Sequence, residues 1–143
     1  MDAMQVSGKE GRMEILSVVV AAFASFAFGA VWYMSLAKPW MQAAGIECDS
    51  NGKPVNGASL MPFVVSGICM ILVAGMMRHI FTMSGIDTPF YGTMGGFGVG
   101  LFFITPWVAM NYAYAMRPVK LAVIDGGYST IGCTIIGLVL TLF

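Results

Sequence analysis

The stretch TPFYGTMGGFGVGLFFITPWVAMNYAYAM, residues 88–116, runs for 29 residues without one charged side chain. Its glycine-rich start, GTMGGFGVG at 92–100, has the composition of a phosphate-binding loop. Such a loop needs a strand before it and a Lys-Ser/Thr pair after it, and neither is present among these apolar neighbours. Gly92, Gly96 and Gly100 instead recur every fourth residue, which is one stripe along a helix. A helix of this length rises about 44 Å, more than the ~30 Å of hydrocarbon in a bilayer. The stretch therefore reads as a membrane span with a small-residue seam. Pro106 falls mid-span, removes one backbone donor and predicts a kink.

The rest of the chain repeats the pattern. Ile15–Ala37 and Pro54–Met77 are also free of charge, and Val119–Phe143 is interrupted only by Lys120 and Asp125. Charged residues make up 10% of the 143-residue chain and hydrophobic residues 58%. A water-facing surface needs about 25% charged residues. The predicted fold is an all-α membrane protein of four transmembrane helices, with spans at about 15–37, 59–81, 88–116 and 119–143. Residues 1–13 read as a polar N-terminal tail, mobile or lying along the membrane surface, and 14–143 as a single domain. The basic residues Lys9 and Arg12 before an apolar run imitate a signal peptide. The run is longer than an h-region and ends in Trp32 and Tyr33, so an uncleaved first span is expected.

The connections carry their own signals. Trp32, Tyr33 and Trp40 are expected at headgroup level with Lys38 snorkelling to water, and Arg117 and Lys120 anchor the later turn. MQAAGIECDSNGKPVNGAS, 41–59, reads as a loop built on Asp-Ser-Asn-Gly and Asn-Gly turn chemistry. Ser59 can cap the second span, Pro62 fits its first turn, and Arg78-His79 is expected to close it. Only RPVK separates the third and fourth spans, which makes them an antiparallel hairpin. The four spans then form two such hairpins. Ala21, Ser25 and Gly29 make a second small-residue stripe, in the first span. Such stripes let helices approach closely in lipid, either within one bundle or between chains.

A shift of 79 residues aligns WYMSLAKPW (32–40) with NYAYAMRPV (111–119), pairing Tyr33 with Tyr112, Lys38 with Arg117 and Pro39 with Pro118. This is a candidate 2+2 internal repeat, with the hairpins related by an axis along the membrane normal. VWYMSLAKPWMQAAG together with AMNYAYAMRPVKLAVIDGGYSTIG resembles the family labelled domain of unknown function 1761. Its most specific part is the run Asn111-Tyr112, Arg117-Pro118, Lys120, Ile124-Asp125 and Gly127-Tyr128. Where the resemblance leads one to expect His, this chain has Ser129. The resemblance implies small bacterial four-span proteins of the inner membrane and no activity.

Asp125 is the one acid in the last span. A carboxylate in a span costs about 2.5–3.5 kcal/mol on insertion scales, so a partner is expected. Counted from the Arg117-Pro118 turn, Asn111 and Asp125 lie about 10 Å along their helices, at one depth. Asn111 or Tyr112 is the predicted partner, with Tyr128 one turn beyond and Arg117 and Lys120 near in sequence. The site reads either as a structural polar clasp or as a proton- or substrate-coupling carboxylate. His79, the sole histidine, reads as interfacial, with a lone axial ligand to haem or pigment as the other reading. No cofactor is assigned. Cys48, Cys69 and Cys133 form no metal or disulfide pattern, and the thirteen Met read as apolar filler.

No paired carboxylates, Ser/His/Asp set or metal cluster stands out, so an enzyme is the least supported class. Basic residues divide three against four: Lys9, Arg12 and Arg78 against Lys38, Lys53, Arg117 and Lys120. That leaves the positive-inside rule little to act on. The first reading is a non-enzymatic accessory or scaffolding subunit of a larger inner-membrane assembly. The alternative is a small oligomeric proton-coupled permease using Asp125, with dual topology. The expected partners are the lipid bilayer and other membrane subunits, or a second copy through the stripes, and not nucleic acid.

Overall fold

The computed structural model describes residues 2–55, 57 and 59–143, with side-chain surroundings from Gly11 onward. Its helices are α1 (Asp2–Ser35), α2 (Ala37–Ala44), α3 (Met61–Ser84), α4 (Pro89–Gly98), α5 (Thr105–Tyr114) and α6 (Val119–Leu140), with a π-helical turn at Val99–Ile104 joining α4 to α5. Four stretches are long and apolar enough to cross a membrane: Gly11–Ser35, Met61–Ser84, Pro89–Tyr114 and Val119–Leu140. Phe23, Leu72, Phe102, Phe103 and Trp107 are among many large apolar side chains left exposed, an outer surface suited to lipid rather than water. The fold is an all-α, multi-pass membrane bundle.

Two antiparallel pairs build it. Glu14 of α1 meets Arg78 of α3 and Ser25 meets Met70, so counting up α1 counts down α3 and the first pair is antiparallel. The second pair joins α4, the π turn and α5 to α6. α6 sits at the centre and packs against every other helix. The core contains Ala21 and Ala22 of α1, Ala74, Met77 and Phe81 of α3, and Cys133, Ile136 and Leu140 of α6.

Both small-residue stripes are filled from within. A Cβ at Gly92 would overlap the Gly137 carbonyl oxygen, one at Gly96 the Cys133 carbonyl, and one at Gly100 the Thr130 Cα. Counting up α4 counts down α6, as an antiparallel pair requires. In α1, Ala21 and Ser25 are buried, and Gly29 lies under the Tyr128 ring, where a Cβ would stand 2.8 Å from its Cε2. Without a hydrophobic drive between helices in lipid, this close backbone approach supplies the van der Waals contact that holds the bundle. α6 thus lies against Gly92, Gly96 and Gly100 of one stripe and Ser25 and Gly29 of the other.

Several boundaries differ from expectation. α1 runs back to Asp2, so the polar N-terminal residues continue its helix. α3 does not close at Arg78-His79 but runs to Ser84. Gly85 stops it there, its left-handed φ of 66° turning its N–H back to Phe81 and Thr82 carbonyls. The expected loop after the first span begins with α2, which Gly45 ends in the same way at φ 69°. Beyond it the Asp-Ser-Asn-Gly turn forms, with Asp49 Oδ1 accepting from the N–H groups of Asn51 at 2.8 Å and Lys53 at 2.9 Å. Pro62 sits in the first turn of α3, and Ser59 Oγ accepts from Met61 N at 3.2 Å.

Just upstream of Pro106 the third span passes through a π turn. Pro106 has no N–H, so the ladder loosens to i→i+5 spacing over Val99–Ile104, and Thr105 N–H reaches the Gly100 carbonyl. The Thr105 hydroxyl lies 2.8 Å from that carbonyl and 2.9 Å from the Gly126 carbonyl of α6, available to donate to either. The 79-residue offset itself does not carry into the second helix of each pair. Moving Val119–Leu140 back by 79 positions lands on residues 40–61, mostly the connection between α2 and α3.

Candidate functional site

Asp125 sits six residues into α6, about 9 Å from its start. Three neutral donors converge on its half-buried carboxylate. Tyr33 of α1 donates its hydroxyl to Oδ1 at 2.8 Å, Trp40 of α2 donates its indole N–H to the same oxygen at 2.9 Å, and Tyr112 of α5 donates to Oδ2 at 2.8 Å. Ser129 donates to the Asp125 backbone carbonyl at 2.9 Å. Among the described residues the carboxylate forms no ion pair. Hydrogen bonds from three neighbouring helices thus replace the water the group would otherwise need.

The local fold aims each donor. α1 ends at Ser35 and α2 begins at Ala37 after a break at Leu36, which places Trp40, two turns on from Tyr33, beside it. Their rings meet edge to face at 5.5 Å, and Tyr33 meets Tyr128 the same way at 5.2 Å. Phe28 stacks on Tyr128 at 6.3 Å. Trp32 donates its indole N–H to the Ile124 carbonyl at 3.1 Å, and its ring packs over Gly127. Gly126 faces the Thr105 side chain. The two glycines therefore admit a ring and a threonine instead of a bare backbone.

Of the expected site residues, Tyr112 lies on Asp125. Asn111 is exposed and makes no hydrogen bond to it, because neighbouring positions on a helix point about 100° apart. Tyr128 belongs to the aromatic wall, its hydroxyl 3.6 Å from Met70 Sδ, and does not touch the carboxylate. Arg117 turns the other way. It is exposed and donates to the Ala44 carbonyl at 3.2 Å, at the negative end of α2. Lys38 and Lys120 are exposed. Trp32, Tyr33 and Trp40, expected as headgroup anchors, point their polar atoms inward to α6.

Part of this was latent in the 79-residue offset. It pairs Tyr33 with Tyr112, and these two phenols grip opposite oxygens of one carboxylate. No metal-holding group of His, Cys, Asp and Glu occurs among the described residues, and His79 lies exposed on α3.

The profile of the family described as "Protein of unknown function (DUF1761)" matches residues 16–141. The chain belongs to that family. No curated protein and no solved structure matches it. The family match takes in α3–α6 whole, most of α1, and all four residues of the carboxylate cluster, but carries no activity.

Trp40→Phe isolates one donor, since it keeps a ring against Tyr33 and removes the N–H. A loss of about 1–2 kcal/mol is expected, read as a lower thermal unfolding midpoint in detergent. An unchanged midpoint would mean that the indole does not hold the carboxylate.

Proposed function

We propose that this protein is a non-enzymatic integral membrane subunit, an accessory or scaffold of a larger assembly in the bacterial inner membrane, and that Asp125 is the clasp that fixes its shape. The observation that carries this reading is the saturation of Asp125 by donors of its own chain, drawn from three different helices. A second feature supports it. α3 buries only Ala74, Met77 and Phe81, so most of its circumference is free to meet another membrane protein.

The test is partner capture in place. A photo-crosslinking residue at Leu72, which is 66% exposed on α3, is activated in native membranes, and products are identified by mass spectrometry. A defined membrane protein, recovered again by mild-detergent purification without crosslinking, is expected. A solitary monomer or homodimer in both experiments contradicts the proposal.

One observation favours the permease reading. A cleft of about 150 Å³ opens on Tyr33 and Tyr128, beside the ring that donates to Asp125. In that reading Asp125→Asn folds normally but abolishes proton-dependent transport, and reporter fusions at both termini find two orientations.

A further inference from the structure

The Asp125 carboxylate has hydrogen bonds but no counter-ion. Its donors Tyr33, Trp40 and Tyr112 are all neutral, so they leave its formal charge in place. The cations of this end of the bundle turn elsewhere. Arg117 donates to the Ala44 carbonyl, and Lys38 and Lys120 are exposed. A charge within a span is costly until one of opposite sign comes near.

Next to this charge lies the cleft of about 150 Å³ between α1, α3 and α6. Four of the side chains that line it are aromatic: Phe26 and Tyr33 of α1, Phe63 of α3 and Tyr128 of α6. Gly29 and Ala30 complete the α1 wall, and their small size leaves the space open. Tyr33 belongs to both features, since it lines the cleft and its hydroxyl donates to Asp125 Oδ1 at 2.8 Å. Sites for drug-sized ligands begin at about 300 Å³, so this one admits only a small group.

The cleft is within reach of the membrane surface. Phe63 is the third residue of α3 and is 60% exposed, and Tyr33 is the third from last of α1. From Tyr33 inward to Phe26 is seven residues of α1, about 10 Å of helix.

We propose that this cleft binds a small free quaternary ammonium cation, a trimethylammonium compound of about the size of choline, held by the aromatic walls and the field of Asp125. Aromatic rings attract cations through their quadrupole, and quaternary ammonium ions are the ligands that cages of such rings take. A primary ammonium brings three N–H groups that need acceptors. A cleft walled by rings and small apolar residues supplies few, and a quaternary nitrogen needs none. The choline headgroup of a lipid would have to draw its phosphate down into the span, towards the carboxylate, so a free cation is the better fit. The site uses the charge of the clasp and not its membrane partners, so its fate is separate from that of the subunit reading.

The full chain in maltoside micelles is titrated with choline at constant ionic strength, and with its uncharged carbon isostere, dimethylbutanol. The backbone ¹H–¹⁵N signals of Ala30 and Ser66, both on the cleft, report occupancy. Choline is expected to bind roughly tenfold more tightly than the alcohol. Phe63→Leu keeps apolar bulk at an exposed position and removes one ring. It is expected to weaken choline roughly threefold and leave the alcohol unchanged. Asp125→Asn is expected to remove most of the preference. Phosphatidylcholine added to the micelles is expected not to displace choline; displacement gives the site to a lipid headgroup and overturns the free cation. No response to choline, equal binding of choline and the alcohol, or a preference that survives both substitutions also overturns the proposal.

Discussion

Replacing Asp125 with Leu is expected to leave little folded protein, whereas Asp125→Asn keeps the bundle together. Leu removes the acceptor that Tyr33, Trp40 and Tyr112 share. Each donor left without a partner away from water costs about 1–3 kcal/mol. Tyr112 stands at the rim and regains water in part, so the combined loss is about 3–5 kcal/mol. Domains have about 5–15 kcal/mol in all. Asn keeps an oxygen for Tyr33 and Trp40, and its NH₂ can donate to the Tyr112 hydroxyl, which rotates to accept. Its cost is about 1 kcal/mol. Size-exclusion profiles and thermal midpoints in detergent separate the two outcomes. Equal folded yields from Asp125→Leu and the unaltered chain would remove the carboxylate from the structural role.

The second large effect belongs to Gly96. Its missing Cβ position is occupied by the Cys133 carbonyl of α6, and the Gly137 position by the Gly92 carbonyl of α4. Backbone on both sides cannot rotate aside as a side chain can. Gly96→Leu must therefore push α4 from α6 and is expected to cost about 3 kcal/mol or more. Gly98→Ala, two residues on, is the matched control. A Cβ there meets nothing within 4 Å, and replacing Gly in a helix by Ala gains about 0.5–1 kcal/mol. If Gly96→Leu unfolds at the same temperature as Gly98→Ala, α4 and α6 do not pack along this seam.

The spans were legible because lipid imposes one rule along the whole chain, a run of about 20 apolar residues. The four-residue spacing of Gly92, Gly96 and Gly100 marked a packing seam for the same reason, since a period fixes a face. It did not show which helix filled the seam. Tyr112 was legible from depth, because the Arg117-Pro118 turn sets both helices in register. Tyr33 and Trp40 were not. They lie 92 and 85 residues from Asp125 in sequence, and their meeting depends on α1 and α2 both docking beside α6. Aromatics next to Lys38 and a Pro carry the composition of headgroup anchors, and composition does not say which way a ring's polar atom turns. The π turn is equally hidden. A changed hydrogen-bond register leaves the apolar pattern as it was, and only Pro106 hints at it.

The hold of the aromatic donors on Asp125 is open to a direct spectroscopic test. The chain has three indoles: Trp40 donating to the carboxylate, Trp32 donating to the Ile124 carbonyl, and Trp107 exposed. A ¹H–¹⁵N correlation spectrum of the protein in micelles resolves each indole N–H as its own signal. Asp125→Asn, which keeps the fold, is expected to move the Trp40 signal and speed its exchange with solvent, while those of Trp32 and Trp107 stay in place. A Trp40 signal that does not respond to Asp125→Asn would contradict the carboxylate clasp.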